Sequence, residues 1–155
     1  MARDTHGSES SRQRWLRYVG AALVVAAGAV HLQQYFGVYY RVIPIIGPLF
    51  LADFVLAVLL ALLLVAPVRR VGVGLTKLAA LGGVLFAWGA IVGLEISEHG
   101  TLLGFHEHGY RLAIVLSLVL EAASILVLTG YLLLPAPRAD VGSAVGRPVE
   151  VSRQT

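Results

Sequence analysis

Cysteine is absent from the chain, which excludes disulfide exchange, thiolate zinc sites, iron–sulfur clusters and haem attached through Cys-x-x-Cys-His. Quinone reductases that work through a cysteine pair go with them. Charge is scarce too: 14% of the residues are Asp, Glu, Lys or Arg, where soluble domains carry about 25%. No His-Glu-x-x-His, serine-nucleophile, phosphate-loop or dinucleotide signature occurs, so zinc proteolysis, serine hydrolysis and nucleotide chemistry find no support. Apolar residues, by contrast, make up 57% of the 155, gathered in four runs that each approach the roughly 20 residues needed to cross a bilayer.

This pattern predicts an all-α protein, an integral membrane four-helix bundle with spans at about 18–36, 48–66, 78–96 and 110–133. Residues 1–17 and 135–155 are polar and arginine-bearing, the composition of disordered tails. Span one runs from Tyr18 to Phe36 and resembles a signal peptide in having arginines before an apolar core and small residues at Ala27-Gly28-Ala29. Its apolar character continues to the aromatic cluster Tyr35, Phe36, Tyr39 and Tyr40, which suits an interfacial belt and favours a retained span. Gly47-Pro48 opens span two, because proline in the first helical turn loses no hydrogen bond, and Pro67 closes it. The segment from Val68 to Lys77 reads as a basic loop, and Gly89-x-x-x-Gly93 in span three as a face for close helix packing. Pro135 and Pro137 stop span four.

Ten of the twelve Lys and Arg residues lie in the two tails and the middle loop, against Arg41 and Arg111 in the other two loops. Positive charge favours the cytoplasm, so both termini are expected to be cytoplasmic in a multi-pass protein of the cytoplasmic (inner) membrane. The net charge of +3 therefore sets topology in a lipid bilayer and implies no nucleic-acid partner. Other membrane subunits, or a homo-oligomer, remain open as partners.

The polar stretch from Glu95 to Arg111 joins spans three and four on the expected extracytoplasmic side and holds three of the five histidines, His99, His106 and His108. With Glu95, Glu98 and Glu107 it offers imidazole nitrogen and carboxylate oxygen, the ligand types for a divalent metal ion. The competing reading is that any loop outside the membrane must be polar. Within the spans, His31 and Asp53 both lie about 9 Å below the same ends of neighbouring helices, at 1.5 Å of rise per residue. An imidazole and a carboxylate meeting there are either a structural pair fixing helix register or a ligand or proton site. Glu121, about 16 Å into span four, must be protonated, face Ser117 and Ser124, or meet a basic partner, and it is a candidate proton-relay station. His31, Asp53, Glu95 and at least one of His99, His106 and His108 are expected to converge in one outer polar pocket, sensitive to pH or metal. Haem fits less well, since bundle cytochromes place axial ligands within facing helices and only His31 meets that condition.

At Gly28-Ala29-Val30-His31-Leu32, Tyr40-Arg41-x-Ile43-Pro44-x-Ile46-Gly47-Pro48-Leu49-Phe50, Gly104-Phe105 and Glu121-Ala122 the chain resembles small uncharacterised four-span bacterial membrane proteins. More loosely it is similar to the DoxX-like group, which implies the four-span architecture and no functional residue. Two functions of different class follow: an accessory or binding membrane protein without catalytic turnover, and a subunit of a membrane redox or transport system coupled to haem, quinone or an ion.

Overall fold

The computed structural model describes residues 9–37, 39–106, 109 and 111–135. They form four helices, α1 (Ser11–Gly37), α2 (Ile46–Val65), α3 (Val68–His99) and α4 (Leu112–Leu133), with a short 3-10 turn at Tyr39–Val42 between α1 and α2. All four are long and apolar enough to cross a membrane. α1 packs chiefly on α2 and then on α4, α3 packs on α4 and α2, and α1 and α3 touch only across the diagonal. One end of the bundle carries the start of α1, the α2–α3 connection and the end of α4. The other carries the 3-10 turn and the segment from Gly100 to Arg111, and is called here the loop end.

Helix α1 begins seven residues before the expected span, and the cause is legible in Ser10-Ser11-Arg12-Gln13. The Gln13 amide donates to Ser10 Oγ (3.2 Å) and the Ser10 amide donates to Gln13 Oε1 (3.0 Å), which is a capping box satisfying two free N–H groups at the helix start. Residues 11–17, expected to be a mobile tail, are helical for this reason. Gln13 Nε2 also donates to the Pro135 carbonyl (2.7 Å), tying the start of α1 to the end of α4. The rest of both tails, 1–8 and 136–155, lies outside the described residues.

The expected basic loop from Val68 to Lys77 is helical as well. Pro67 precedes the first turn and accepts at its carbonyl from the Arg70 and Val71 amides, and the chain then kinks at Gly72 (φ 82°, ψ 153°). Glycine takes that conformation without a Cβ penalty, and Thr76 Oγ1 donates to the Gly72 carbonyl (3.0 Å). Spans two and four fall within two residues of expectation.

Two cations at this end bind carbonyls left free where neighbouring helices stop. The buried Arg17 guanidinium donates from Nη1 to the Leu64 and Ala66 carbonyls at the end of α2, and from Nε and Nη2 to Glu9 (2.9 Å each). Lys77 reaches the Leu132 and Leu134 carbonyls at the end of α4 (3.5 and 3.3 Å). Positive charge at a helix C-terminus satisfies orphan acceptors and opposes the negative dipole end.

The core is built from small side chains, with Ala21, Ala27, Ala57, Ala61, Ala79, Ala80 and Ala87 buried around Val24, Leu64 and Leu128. Large apolar residues such as Leu78, Val119 and Leu126 point outward. The closest helix approach is at Gly28, where a Cβ would stand 2.5 Å from the Ala57 Cβ. The Gly89-x-x-x-Gly93 face is not such a contact within the bundle: a Cβ on Gly89 meets nothing within 4 Å, and one on Gly93 meets only Leu102, at 3.7 Å. Both glycines line a cavity instead. Gly28→Val is therefore expected to lower the unfolding temperature through overpacking of about 1–3 kcal/mol, whereas Gly89→Ala leaves it within error. Thermal unfolding of both variants in detergent checks this, and equal losses would contradict the assignment of the close contact.

Candidate functional site

The cavity lies between all four helices beneath the loop end, with a volume of about 360 Å³, and its exposed lining residues Leu49, Leu56, Leu85 and Gly89 belong to α2 and α3. Its walls are mostly apolar, with Leu49, Phe50, Leu56, Leu85, Phe86 and Ile114 among them, and its polar groups gather where His31, Asp53, Ser117 and Glu121 meet. His31 on α1 stands between two carboxylates: Nδ1 is 3.6 Å from Asp53 Oδ2 on α2, and Nε2 is 3.4 Å from Glu121 Oε1 on α4. Ser117 lies one turn before Glu121 and donates to its Oε1 (2.8 Å), while the same Oγ is 3.3 Å from His31 Nε2. His31, Ser117 and Glu121 are buried, and the Asp53 side chain is partly open.

The expected His31–Asp53 pair is thus present, and Glu121 joins it from the third helix. Side-chain direction explains the convergence, because Cα–Cβ bonds tilt toward the helix N-terminus. Helix α1 runs toward the loop end and α4 away from it, so His31 leans inward and Glu121 leans outward, closing a difference in depth of several ångströms. Phe50 and Phe86 hold the imidazole at its edges, with ring centroids 5.3 and 6.0 Å away.

With Glu121 ionised, Ser117 gives its single hydroxyl proton to that carboxylate, Oγ accepts from His31, and Nε2 carries the hydrogen. In the neutral ring Nδ1 is then a bare acceptor, and it is buried with no hydrogen-bond partner. It faces Asp53 Oδ2, also an acceptor when ionised. Two acceptors 3.6 Å apart in a low-dielectric site repel unless a proton or a donor lies between them.

The loop end closes over this site with apolar and aromatic groups. Leu102 and Phe105 exchange two backbone hydrogen bonds (2.8 Å each) around Leu103 and Gly104, both at positive φ, the two-residue hairpin geometry. Both flanking side chains line the cavity. Tyr40 stacks on Phe50 at 4.7 Å and meets Phe105 edge-on at 5.5 Å. The Arg111 guanidinium donates to the Tyr40 hydroxyl and lies 5.5 Å from its ring centre.

Among the described residues, Glu95, His99 and His106 do not join this pair in the expected single pocket. Glu95 and His99 form an exposed pair one turn apart on α3 (3.5 Å), with His99 Nδ1 3.0 Å from the Glu95 carbonyl. His106 is exposed and bonds the Gly100 carbonyl through Nδ1. None of the three lines the cavity, and among the described residues no group of three or more His, Asp or Glu is placed to hold a metal ion. His108 and Glu107 lie outside the described residues. A residue not anticipated from sequence is Gln34, one turn beyond His31, buried in the cavity wall with Oε1 unpartnered and Nε2 donating to Gln33 (2.9 Å). Its i, i+3 spacing from His31 was the available signal.

Comparison with protein-family models, curated proteins and solved structures finds no match, so it neither supports nor opposes the likeness to DoxX-like proteins.

Proposed function

We propose that the chain is a multi-pass protein of the cytoplasmic membrane, of binding type and without catalytic turnover, whose His31–Asp53–Glu121 centre takes up and releases a proton. Both termini lie in the cytoplasm in this reading, and the cavity lies in the extracytoplasmic half of the bundle. The topology rests on the ten-to-two distribution of basic residues, supported by the carbonyl-binding Arg17 and Lys77 at the terminal end. A phosphatase reporter inserted after Gly72 is expected to be inactive and one after Gly104 active; the reverse pattern would invert the protein.

The observation that carries the proton assignment is the buried, unpartnered His31 Nδ1 facing Asp53 Oδ2 at 3.6 Å. A proton between these atoms turns a repulsive contact into a charge-assisted hydrogen bond and leaves an imidazolium flanked by two carboxylates. Intramembrane ionisable residues of this kind mark ion or proton sites, and the donor set among the described residues favours a proton over a divalent metal. Proton uptake by the purified protein on acidification tests it. His31→Gln is expected to take up about one proton fewer than the parent. Equal uptake by the two proteins would remove the assignment.

A further inference from the structure

We infer that the cavity binds a compact lipophilic ammonium ion, which donates N–H to His31 Nδ1 and Asp53 Oδ2 and so takes the place of the proton. The inference rests on the proton-binding reading of the same centre and names its ligand. Three observations lead to it. The polar end of the cavity presents two carboxylates and one imidazole, and among the described residues no lysine or arginine lines it, so its charge complements a cation. The unpartnered Nδ1 and the facing Asp53 Oδ2 are 3.6 Å apart, close enough for one ammonium to serve both. A quinone or other carbonyl compound would offer acceptors to acceptors, and a carboxylate ligand would add like charge. Finally, Phe50, Phe86 and Tyr40 stand around this end, and aromatic faces attract desolvated organic cations.

The remaining groups on the packed elements leave the charge balance unchanged. Glu121 approaches from α4 with Ser117, Gln34 is the neutral neighbour on α1, and Ser97 is the polar lining residue on α3. The 3-10 turn supplies Tyr40, whose hydroxyl is engaged by Arg111. Gly89 keeps the α3 wall open, since a side chain there would project into free space. A volume of about 360 Å³ is at the small end of ligand pockets, which run from about 300 to 1,000 Å³, and so admits a single compact hydrophobic body.

The test is equilibrium binding of 1-aminoadamantane to the detergent-purified full chain, with 1-adamantanol as the neutral compound of the same shape and empty micelles as the partition blank. The amine is expected to bind about tenfold more tightly than the alcohol, and about tenfold more tightly near pH 8 than near pH 5.5, because proton and amine compete for one site. Asp53→Asn is expected to weaken the amine about tenfold, and Gly89→Leu to weaken it by occupying the wall space. Equal affinity for amine and alcohol, pH-independent affinity, or parental affinity in both variants would each overturn the proposal. Proton uptake by the ligand-free protein separates the two levels: uptake that depends on His31 without amine binding sinks the ligand alone, and amine binding without such uptake sinks the competition.

Discussion

His31→Ala is expected to destabilise the protein in detergent by about 3–5 kcal/mol, the range for removing one member of a buried charged cluster. The imidazole touches both Asp53 and Glu121, at 3.6 and 3.4 Å, and it fills the space between Phe50 and Phe86. Its loss leaves two carboxylates facing one gap with no imidazole to hold a proton between them, and a void where the ring stood. If the carboxylates cause most of the loss, His31→Ala with Glu121→Gln should recover about 1–2 kcal/mol of it, since an amide carries no charge and still accepts from Ser117. Unfolding midpoints of the three proteins, followed by circular dichroism, decide the point. A double variant no better than His31→Ala would assign the loss to packing.

Arg17→Ala is the second large loss expected, at about 2–4 kcal/mol, because it strips charged hydrogen bonds from the Leu64 and Ala66 carbonyls and from Glu9 at once. Arg17→Lys should recover less than half of it. One ammonium cannot reproduce the guanidinium fork that grips Glu9 through Nε and Nη2 while Nη1 holds the end of α2. Lys77→Ala should cost only about 0.3–1 kcal/mol, as its contacts at 3.3 and 3.5 Å are those of a charge near a helix end. The ranking is read from the same unfolding measurement, and an Arg17→Lys variant as stable as the parent would show that charge alone matters there.

The four helices were legible because apolar runs of bilayer length say little else, and Gly47-Pro48 and Pro67 mark their ends with backbone chemistry. The His31–Asp53 contact was legible from matched depth on adjacent helices. Glu121 was recognised as demanding a partner, but not matched to His31, because counting residues gives the height of a Cα and ignores the opposite tilt of side chains on antiparallel helices. The early start of α1 was written in the Ser10 to Gln13 capping box, which the polarity of the segment obscured. The Gly89 and Gly93 spacing misled for a general reason: missing side chains permit close packing and equally permit a cavity, and only the neighbouring helix decides between them. The histidine loop had to cover the loop end, but spacing could not show that Leu102 and Phe105 would turn inward while His99 and His106 faced out.

The most direct test of the proton-binding centre is nitrogen NMR of the protein labelled with 15N-histidine, with His31→Gln identifying the signal. The account predicts a neutral ring protonated on Nε2 at high pH that gains a proton on Nδ1 as the pH falls. A His31 ring that is Nδ1-protonated when neutral, or that stays neutral down to the acid unfolding of the protein, would contradict it.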